Sequence, residues 1–485
     1  MSWEFFPPCR PGGRRRRFLL SRNTISLIDD NRSPWQTILL LAWPIFVEQV
    51  LSSLVHTVDT AMVGSLGKIA TASVAISSSP NMLINGAIMS LGVGFTSMIA
   101  RSVGAGDPER ARGLLRQAIL TVLSLSIPVA IVCFALARQI PIWMGGEPEI
   151  LDFAETYNKI LVVSLPFRCM TMILTSIFRG YGDSKTPMKI NILVNLTNVV
   201  GNYFMIFPTR QLELFGAEFT MPGLGWGVAG AAASTSLTAI VGSLTLLSVC
   251  FTRPGEMQIS LRDDFRPNWP ELRTVIRLGL PAMGQRIVMN SAAIIVTSTV
   301  ASLGTAALAA QNLTGTAESL SFMPGFAFSA ACTTLYGQSL GAKRPDLAHD
   351  FLKRTVTMCS VVMACTTVGL FVGAEVILGL LTPDPEVIEL GSVLLRIVAL
   401  IQVPQGIAFC ISGGLQGGGD TRSPLIVSMA SVWGVRILGI MLCVHLFHLG
   451  LYAVCICMCT DNVVRCILFL LRYRQQRHKL AKIEL

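Results

Sequence analysis

Charge is what this sequence has least of. Only 14% of its 485 residues are Asp, Glu, Lys or Arg, where a soluble chain carries about 25%. That scarcity excludes an ordinary water-soluble protein, and 52% apolar residues with a mean hydropathy of +0.60 agree. Histidine is scarce too. The five are scattered at His56, His349, His445, His448 and His478, so no convergent His/Asp or metal set can be assembled and an enzyme embedded in the membrane is not expected. No Gly-Lys-Ser/Thr loop follows a strand, which leaves no ATP site and makes an ion gradient the expected energy source. No cleavable leader is visible: Arg14 to Arg17 is followed by Phe18, Leu19 and Leu20 and then by polar sequence. The thirteen cysteines lie mostly inside apolar runs, as small apolar side chains do, so neither a disulfide frame nor a structural metal is expected. Cys455 and Cys459 share a helix face, but Cys457 points elsewhere. The net charge of +10 forms no basic patch, so nucleic acid is not an expected partner.

What is present is a long apolar stretch that occurs twice. Leu41 to Gly67 holds Pro44, Glu48 and Asp59 and ends in Ser-Leu-Gly; Leu278 to Gly304 keeps Pro281 and the same ending. Pro281 − Pro44 and Gly304 − Gly67 are both 237. Gly104, Ala105, Pro108 and Ala111 recur as Gly341, Ala342, Pro345 and Ala348. Gly180, Gly182, Asp183 and Pro187 recur as Gly417, Gly419, Asp420 and Pro424 at the same offset. The register slips only after helix 5, where Leu224-Gly225 matches Leu449-Gly450.

Apolar runs of spanning length between short polar loops predict an all-α polytopic membrane protein. Twelve helices are expected near 36–62, 72–98, 114–138, 156–178, 187–208, 226–251, 273–300, 306–334, 351–380, 388–412, 424–446 and 449–472. They make an N-lobe at 36–252 and a C-lobe at 273–472, joined by a cytoplasmic linker at 253–272. Residues 1–35 and 473–485 read as cytoplasmic tails, the first basic and disordered. Each half has an even number of helices, so the lobes should be related by a pseudo-two-fold axis along the membrane normal. Arg101, Arg110, Arg112 and Arg116 lie in one loop, Arg179, Lys185 and Lys189 in another, and Lys343, Arg344, Lys353 and Arg354 in a third. The intervening loops carry Glu147, Glu149 and Asp152, or Asp384 and Glu386. The positive-inside rule then places both termini in the cytoplasm. The Gly104–Ala111 and Gly180–Asp183 loops are expected to turn the chain and cap helices.

Ionisable groups at membrane depth are costly and face a cavity or a partner. Helix 1 places Glu48, Ser52, His56 and Asp59 on one face, and helix 5 does the same with Asn191, Asn195, Asn198 and Asn202. The second copy has Gln285 for Glu48 and Val296 for Asp59. Ser428, Val432, Val435 and Gly439 replace the asparagines. Two polar stripes confined to one lobe suggest a site for Na⁺ or a proton; helix-to-helix hydrogen bonding is the plainer reading. In the C-lobe, Gln285 and Arg286 lie near the start of helix 7, and Gln311, Gly315, Glu318 and Phe322 share a face of helix 8. Glu318 either meets a substrate cation or pairs with Arg286. Asp461 and Arg465, four apart, are expected to neutralise each other.

Taken together, several segments resemble the multidrug and toxic compound extrusion (MATE) transporters over residues 36–472. They are Pro44…Val58-Asp59-Thr60…Gly64-Ser65-Leu66-Gly67, Gly104-Ala105-Gly106-Asp107, Arg179-Gly180-Tyr181-Gly182-Asp183…Thr186-Pro187, Glu318 to Gly325 and Gly337 to Ala342. The resemblance implies two six-helix lobes around a central cavity and export of drug-like, often cationic compounds in exchange for H⁺ or Na⁺. It implies a coupling-ion site at Asp59, Asn198 and Asn202, to which Glu48 is added here. A substrate cavity is expected at Glu318, Gln285, Arg286, Gln311, Phe322 and Met289, the last standing where some members carry an acid. No cofactor is expected beyond the coupling ion. The expected partners are small organic molecules and membrane lipid, and a monomer in the cell (inner) membrane is expected. A flippase for lipid-linked saccharides or polyprenyl carriers shares the broader fold and is the alternative. It would favour a strongly basic cavity, whereas the first-lobe charges read here are acids.

Overall fold

The structure, a computed structural model, describes residues 27, 32–214, 217–255, 257–260, 262–447 and 449–481. Twelve spans follow one another. Helix 1 is Pro34–Gly64, helix 2 Lys68–Gly104 and helix 3 Pro108–Ala135; helix 4 is the bent pair Pro148–Val163 and Leu165–Tyr181. Helix 5 is Lys185–Ile206 and helix 6 Gly227–Thr252. The second set begins with helix 7, Trp269–Ala301, helix 8, Thr305–Gly341, and helix 9, Pro345–Leu381. Helix 10 is the bent pair Pro385–Ala399 and Gln402–Gly417. Helix 11 runs from Arg422 to Leu446 with two π-helical segments, and helix 12 is Leu451–Ala481. Both bent spans turn by 50°.

Local chemistry sets these boundaries. Proline stands in the first turn of helices 1, 3 and 9, where its missing N–H costs nothing. The Asp107 carboxylate accepts from Arg110 N (3.0 Å) and caps helix 3. Asp183 and Asp420 accept from Thr186 N and Ser423 N, each at 3.0 Å, at the starts of helices 5 and 11. Lipid is the solvent for the outer faces. Val372, Val376 and Leu380 on helix 9 are 76%, 69% and 83% exposed, a stripe that water would not tolerate.

Several expected boundaries shift: helix 4 begins at Pro148 rather than 156, helix 8 ends at Gly341 rather than 334, and helices 3 and 9 begin at Pro108 and Pro345 rather than 114 and 351. Helix 12 continues to Ala481 rather than giving way to a tail after 472, because Arg472 and Gln476 anchor it on the Asp420 carboxylate (3.0 and 2.9 Å). Between helices 5 and 6 lies an antiparallel hairpin, Pro208–Leu214 with Ala217–Leu224, instead of a plain loop. It accounts for the slip in the repeat register. Residues 1–26 of the expected N-terminal tail fall outside the described residues; Leu27 is buried in a cluster with Ile38 and Phe328.

The two halves repeat their contacts as well as their sequence. Thr96 Oγ1 donates to Ser176 O (2.9 Å) and Thr333 Oγ1 to Gly413 O (3.0 Å), pairs that differ by 237. The lobes meet along a seam at the end that carries the basic loops. A Cβ on Gly104 would lie 1.9 Å from the Gln338 carbonyl oxygen, and one on Gly341 would lie 2.1 Å from that of Arg101. These are one contact made twice, since 338 − 101 and 341 − 104 are both 237. Ser97 Oγ donates to Gly417 O (3.1 Å), Thr334 Oγ1 to Arg179 O (2.9 Å) and Gln338 Nε2 to Gly180 O (3.0 Å). Only glycine lets backbones approach this closely.

Candidate functional site

Asp59 stands five residues before the end of helix 1. The N-lobe core of Val63, Ala70, Ile206 and Val228 packs next to it and presses helix 5 against helix 1. Asn202 Nδ2 donates to Asp59 Oδ1 (2.5 Å) and reaches Asn198 Oδ1 (3.4 Å). Asn198 Nδ2 points to the hydroxyls of Thr235 and Thr238, both at 3.5 Å, on helix 6. Turned over, the Asn198 amide satisfies both sides: its nitrogen donates to the two Asp59 carboxylate oxygens at 2.9 and 3.1 Å, and its oxygen accepts from the threonine hydroxyls. Asn202 Oδ1 is buried and lacks a hydrogen-bond partner among the described residues. Both asparagines are buried, at 5% and 1% exposure. The carboxylate thus meets neutral amides and no Lys or Arg among the described residues, a setting that suits a hard cation or a proton. His56, one turn away, is exposed and acts on Asp59 through space.

Glu48 does not belong to this cluster. Its carboxylate receives Arg179 (2.7 Å) and Asn191 Nδ2 (2.6 Å), tying helix 1 to helices 4 and 5. The C-lobe makes the same tie without charge: Gln285 Nε2 donates to Ser428 Oγ (3.0 Å), and Gln416 Nε2 donates to Gln285 Oε1 (3.3 Å). All three positions, 48, 179 and 191, map onto 285, 416 and 428 at an offset of 237. At the Asp59 position the C-lobe has Val296, buried in its apolar core.

The C-lobe residues do not gather as one cavity wall. Gln285 is occupied by the tie just described. Met289 packs against the lobe core beside Ala292 and Val296. Gln311 Nε2 reaches Met458 Sδ at 3.9 Å, and Phe322 meets Phe409 edge-on at 6.2 Å. The alternative pairing of Glu318 with Arg286 does not form among the described ion pairs, and Arg436 of helix 11, within electrostatic range of Glu318, is paired with Asp461. Arg286 has no acidic partner among the described residues and is exposed. Seven residues separate it from Gly279, which packs on Ser90 of helix 2, so both lie on the helix 7 face turned to the N-lobe. Asp461 takes Arg465, as its spacing suggests, and also Arg436 (2.7 Å) from a π-helical stretch.

Sequence reasoning passed over Arg168, Arg436, Tyr157 and the pair Asn81 and Asn85. Each was visible as a polar group inside an apolar run. Arg168 lies one turn past the break in helix 4 and donates to Asn81 Oδ1 (3.5 Å) and Asn85 Oδ1 (3.3 Å) on helix 2. Tyr157, before the break, interacts electrostatically with both Arg168 and Asp59.

A sequence profile described as MatE matches residues 44–204 and again residues 281–442. The two matches start 281 − 44 = 237 residues apart, the offset read from the repeats. A probable multidrug resistance protein NorM of Thermotoga maritima is 28% identical over 433 residues, 89% of this chain and 90% of that protein. The multidrug resistance protein PmpM of Pseudomonas aeruginosa is 25% identical over 83% of each chain. Among solved structures, MATE in complex with MaL6 superposes with a TM-score of 0.85 at 24% identity, covering 95% of this chain and 100% of that one.

Proposed function

This chain belongs to the MatE family of membrane transporters and is not an enzyme, and from that premise we propose that it exports drug-like organic compounds bearing a cationic group in exchange for H⁺ or Na⁺. We place the coupling ion at Asp59, Asn198 and Asn202. The observation that carries this reading is a half-buried carboxylate held by the amides of two buried asparagines, with no Lys or Arg ion pair among the described residues. A cation or proton supplies the counter-charge that the amides do not. Coupling then needs two arrangements of the lobes, one with the carboxylate loaded and one with it empty. An ion can drive exchange only if it binds those states unequally. Val296 at the mirrored position supports a role beyond folding, since the same fold forms there without an acid. Glu48 is left out of the site because a neutral glutamine makes its contacts in the other lobe.

The test is paired. Asp59→Asn keeps the side-chain shape and removes the charge. Purified into vesicles, it should fold but lose efflux driven by an imposed pH or Na⁺ gradient, while equilibrium binding of an organic cation in detergent survives in part. Efflux near the parent rate in Asp59→Asn would dismiss the site.

A further inference from the structure

Helices 11 and 12 are joined by side chains at successive levels from the seam end outward. Arg472 Nε donates to Ser423 Oγ (2.7 Å), Arg465 Nε donates to Ser431 Oγ (3.3 Å), and Arg436 meets Asp461 (2.7 Å). The last rung, near the end opposite the seam, is of another kind: Cys443 Sγ lies 3.8 Å from Cys457 Sγ. Two thiols hold each other only weakly. Their approach is nonetheless built into the fold. Cys443 stands in the second π-helical segment of helix 11, Leu442–Leu446, as Arg436 stands in the first. Each segment presents one residue to helix 12, and such segments recur at functional sites. Gly439, one turn before Cys443, leaves room for the facing sulfur: a Cβ there would come within 3.1 Å of Cys457 Sγ.

Access sets this pair apart. Cys332, Cys359 and Cys410, from helices 8, 9 and 10, are sealed in the lobe core. Cys443 and Cys457 both keep part of their surface open. Cys443 stands three residues before the end of helix 11 at Leu446, and Cys457 six residues after the start of helix 12 at Leu451. The fold itself does not ask for sulfur here. At the mirrored positions the N-lobe has Ile206 and, counted from the match of Leu224 with Leu449, Ala232, both buried. On the sidedness that the basic loops predict, this rung lies on the external side, where disulfides persist.

We propose that Cys443 and Cys457 are a redox modification site: a low-molecular-weight disulfide converts them to an internal disulfide that pins the end of helix 11 to helix 12. A disulfide holds its sulfurs at about 2 Å, so the 3.8 Å gap closes with a shift of about 1 Å by each sulfur. One cysteine, as thiolate, attacks the S–S bond of the oxidant, forms a mixed disulfide and releases one small thiol. The second cysteine, as thiolate, attacks the protein sulfur of that mixed disulfide and releases the other small thiol. The protein loses two S–H bonds and gains one S–S bond. The oxidant loses its S–S bond and leaves as two thiols, which carry away the two electrons and two protons.

The experiment uses the full chain, purified in detergent and reduced, with oxidised glutathione as the oxidant. The remaining thiols are then blocked with N-ethylmaleimide before unfolding, and chymotrypsin cuts the connection at Phe447 and Tyr452. The segments on either side should stay joined until a reductant is added, and Cys443 and Cys457 should lose alkylation together. Cys443→Ser and Cys457→Ser should each abolish the join, whereas Cys455→Ser and Cys459→Ser should keep it. The linked protein should also melt at a higher temperature than the reduced one, since the link restricts the unfolded chain, and reductant should reverse the rise. If a serine variant fails to fold, fragmentation of the joined wild-type segments decides, because it places the link on Cys457 or on a neighbour. Full alkylation of both cysteines, glutathione adducts without a link, or a link placed on Cys455 or Cys459 overturns the site. A link without a shift in melting overturns the pinning of helix 11.

Discussion

At the scale of single residues, the two lobes act as a built-in mutational comparison. The Glu48–Arg179–Asn191 trio and the Gln285–Gln416–Ser428 trio join the same three helices, one with charge and one without. Replacing a buried ion pair by neutral groups is often tolerated, while removing one partner is not. Glu48→Gln should therefore destabilise the protein by about 1–3 kcal/mol, discounted from a fully buried pair because Arg179 keeps some exposure. The double variant Glu48→Gln/Arg179→Gln, which copies the C-lobe, should recover most of the loss. Thermal melting of the purified proteins in detergent checks both. A double variant no better than the single would show that Glu48 serves something other than the tie. Helical periodicity grouped Glu48 with Asp59 because eleven residues return to the same face. Those eleven residues also climb about 16 Å, so sharing a face is not sharing a site. The asparagine stripe divides for the same reason, Asn191 going to Glu48 and Asn198 and Asn202 to Asp59.

At the scale of elements, the sequence was most readable where chemistry is local and repeated. Prolines at first turns, aspartate caps and glycine loops mark where helices begin and turn, although the expected helix 4 begins eight residues late and helix 8 ends seven early, and the repeat offset reappears in contact after contact. Less readable were features set by partners far along the chain. The breaks in helices 4 and 10 lie inside apolar runs with no consistent signal, and the π-helical segments of helix 11 surround Arg436, whose turn toward Asp461 depends on helix 12. The glycines at the seam were read as turn residues, yet their larger task is close approach. Gly104→Ala and Gly341→Ala each place a methyl group within 1.9 or 2.1 Å of a backbone carbonyl that cannot swing aside. Overpacking of this kind costs about 1–3 kcal/mol, enough to shift a two-state seam by about tenfold or more. In a cysteine-free background, Ser97→Cys, buried in the seam, should react slowly with a small thiol reagent. Adding Gly104→Ala should speed that reaction by about tenfold, whereas Gly64→Ala, whose Cβ would meet nothing within 4 Å, should leave it unchanged. Equal rates with all three glycines would remove the seam from the account.

At the scale of the whole molecule, position along the membrane normal links the site to the seam. The seam contacts involve Ser97, Arg101, Gly104, Thr334, Gln338 and Gly341, next to loops that carry Arg110, Arg112, Lys343 and Arg344. Asp59 lies near the opposite end of helix 1, on the side of the loops that hold Glu149 and Asp384. If the basic loops are cytoplasmic, as the positive-inside rule requires, this arrangement is sealed toward the cytoplasm and presents Asp59 to the outside. An ion moving down its gradient then loads from the side on which it is abundant, and the exported compound leaves by the same face. With the opposite sidedness, the ion site would face the cytoplasm in this state. Orientation therefore decides which face is sealed in this state, and it can be measured directly. Single cysteines replacing Arg110 and Lys343 should be protected from a membrane-impermeant thiol reagent added to intact cells and labelled only after permeabilisation. Cysteines replacing Glu149 and Asp384 should be labelled at once. Immediate labelling at Arg110 or Lys343, or protection at Glu149 or Asp384, would reverse the sidedness and overturn the cytoplasmic seal.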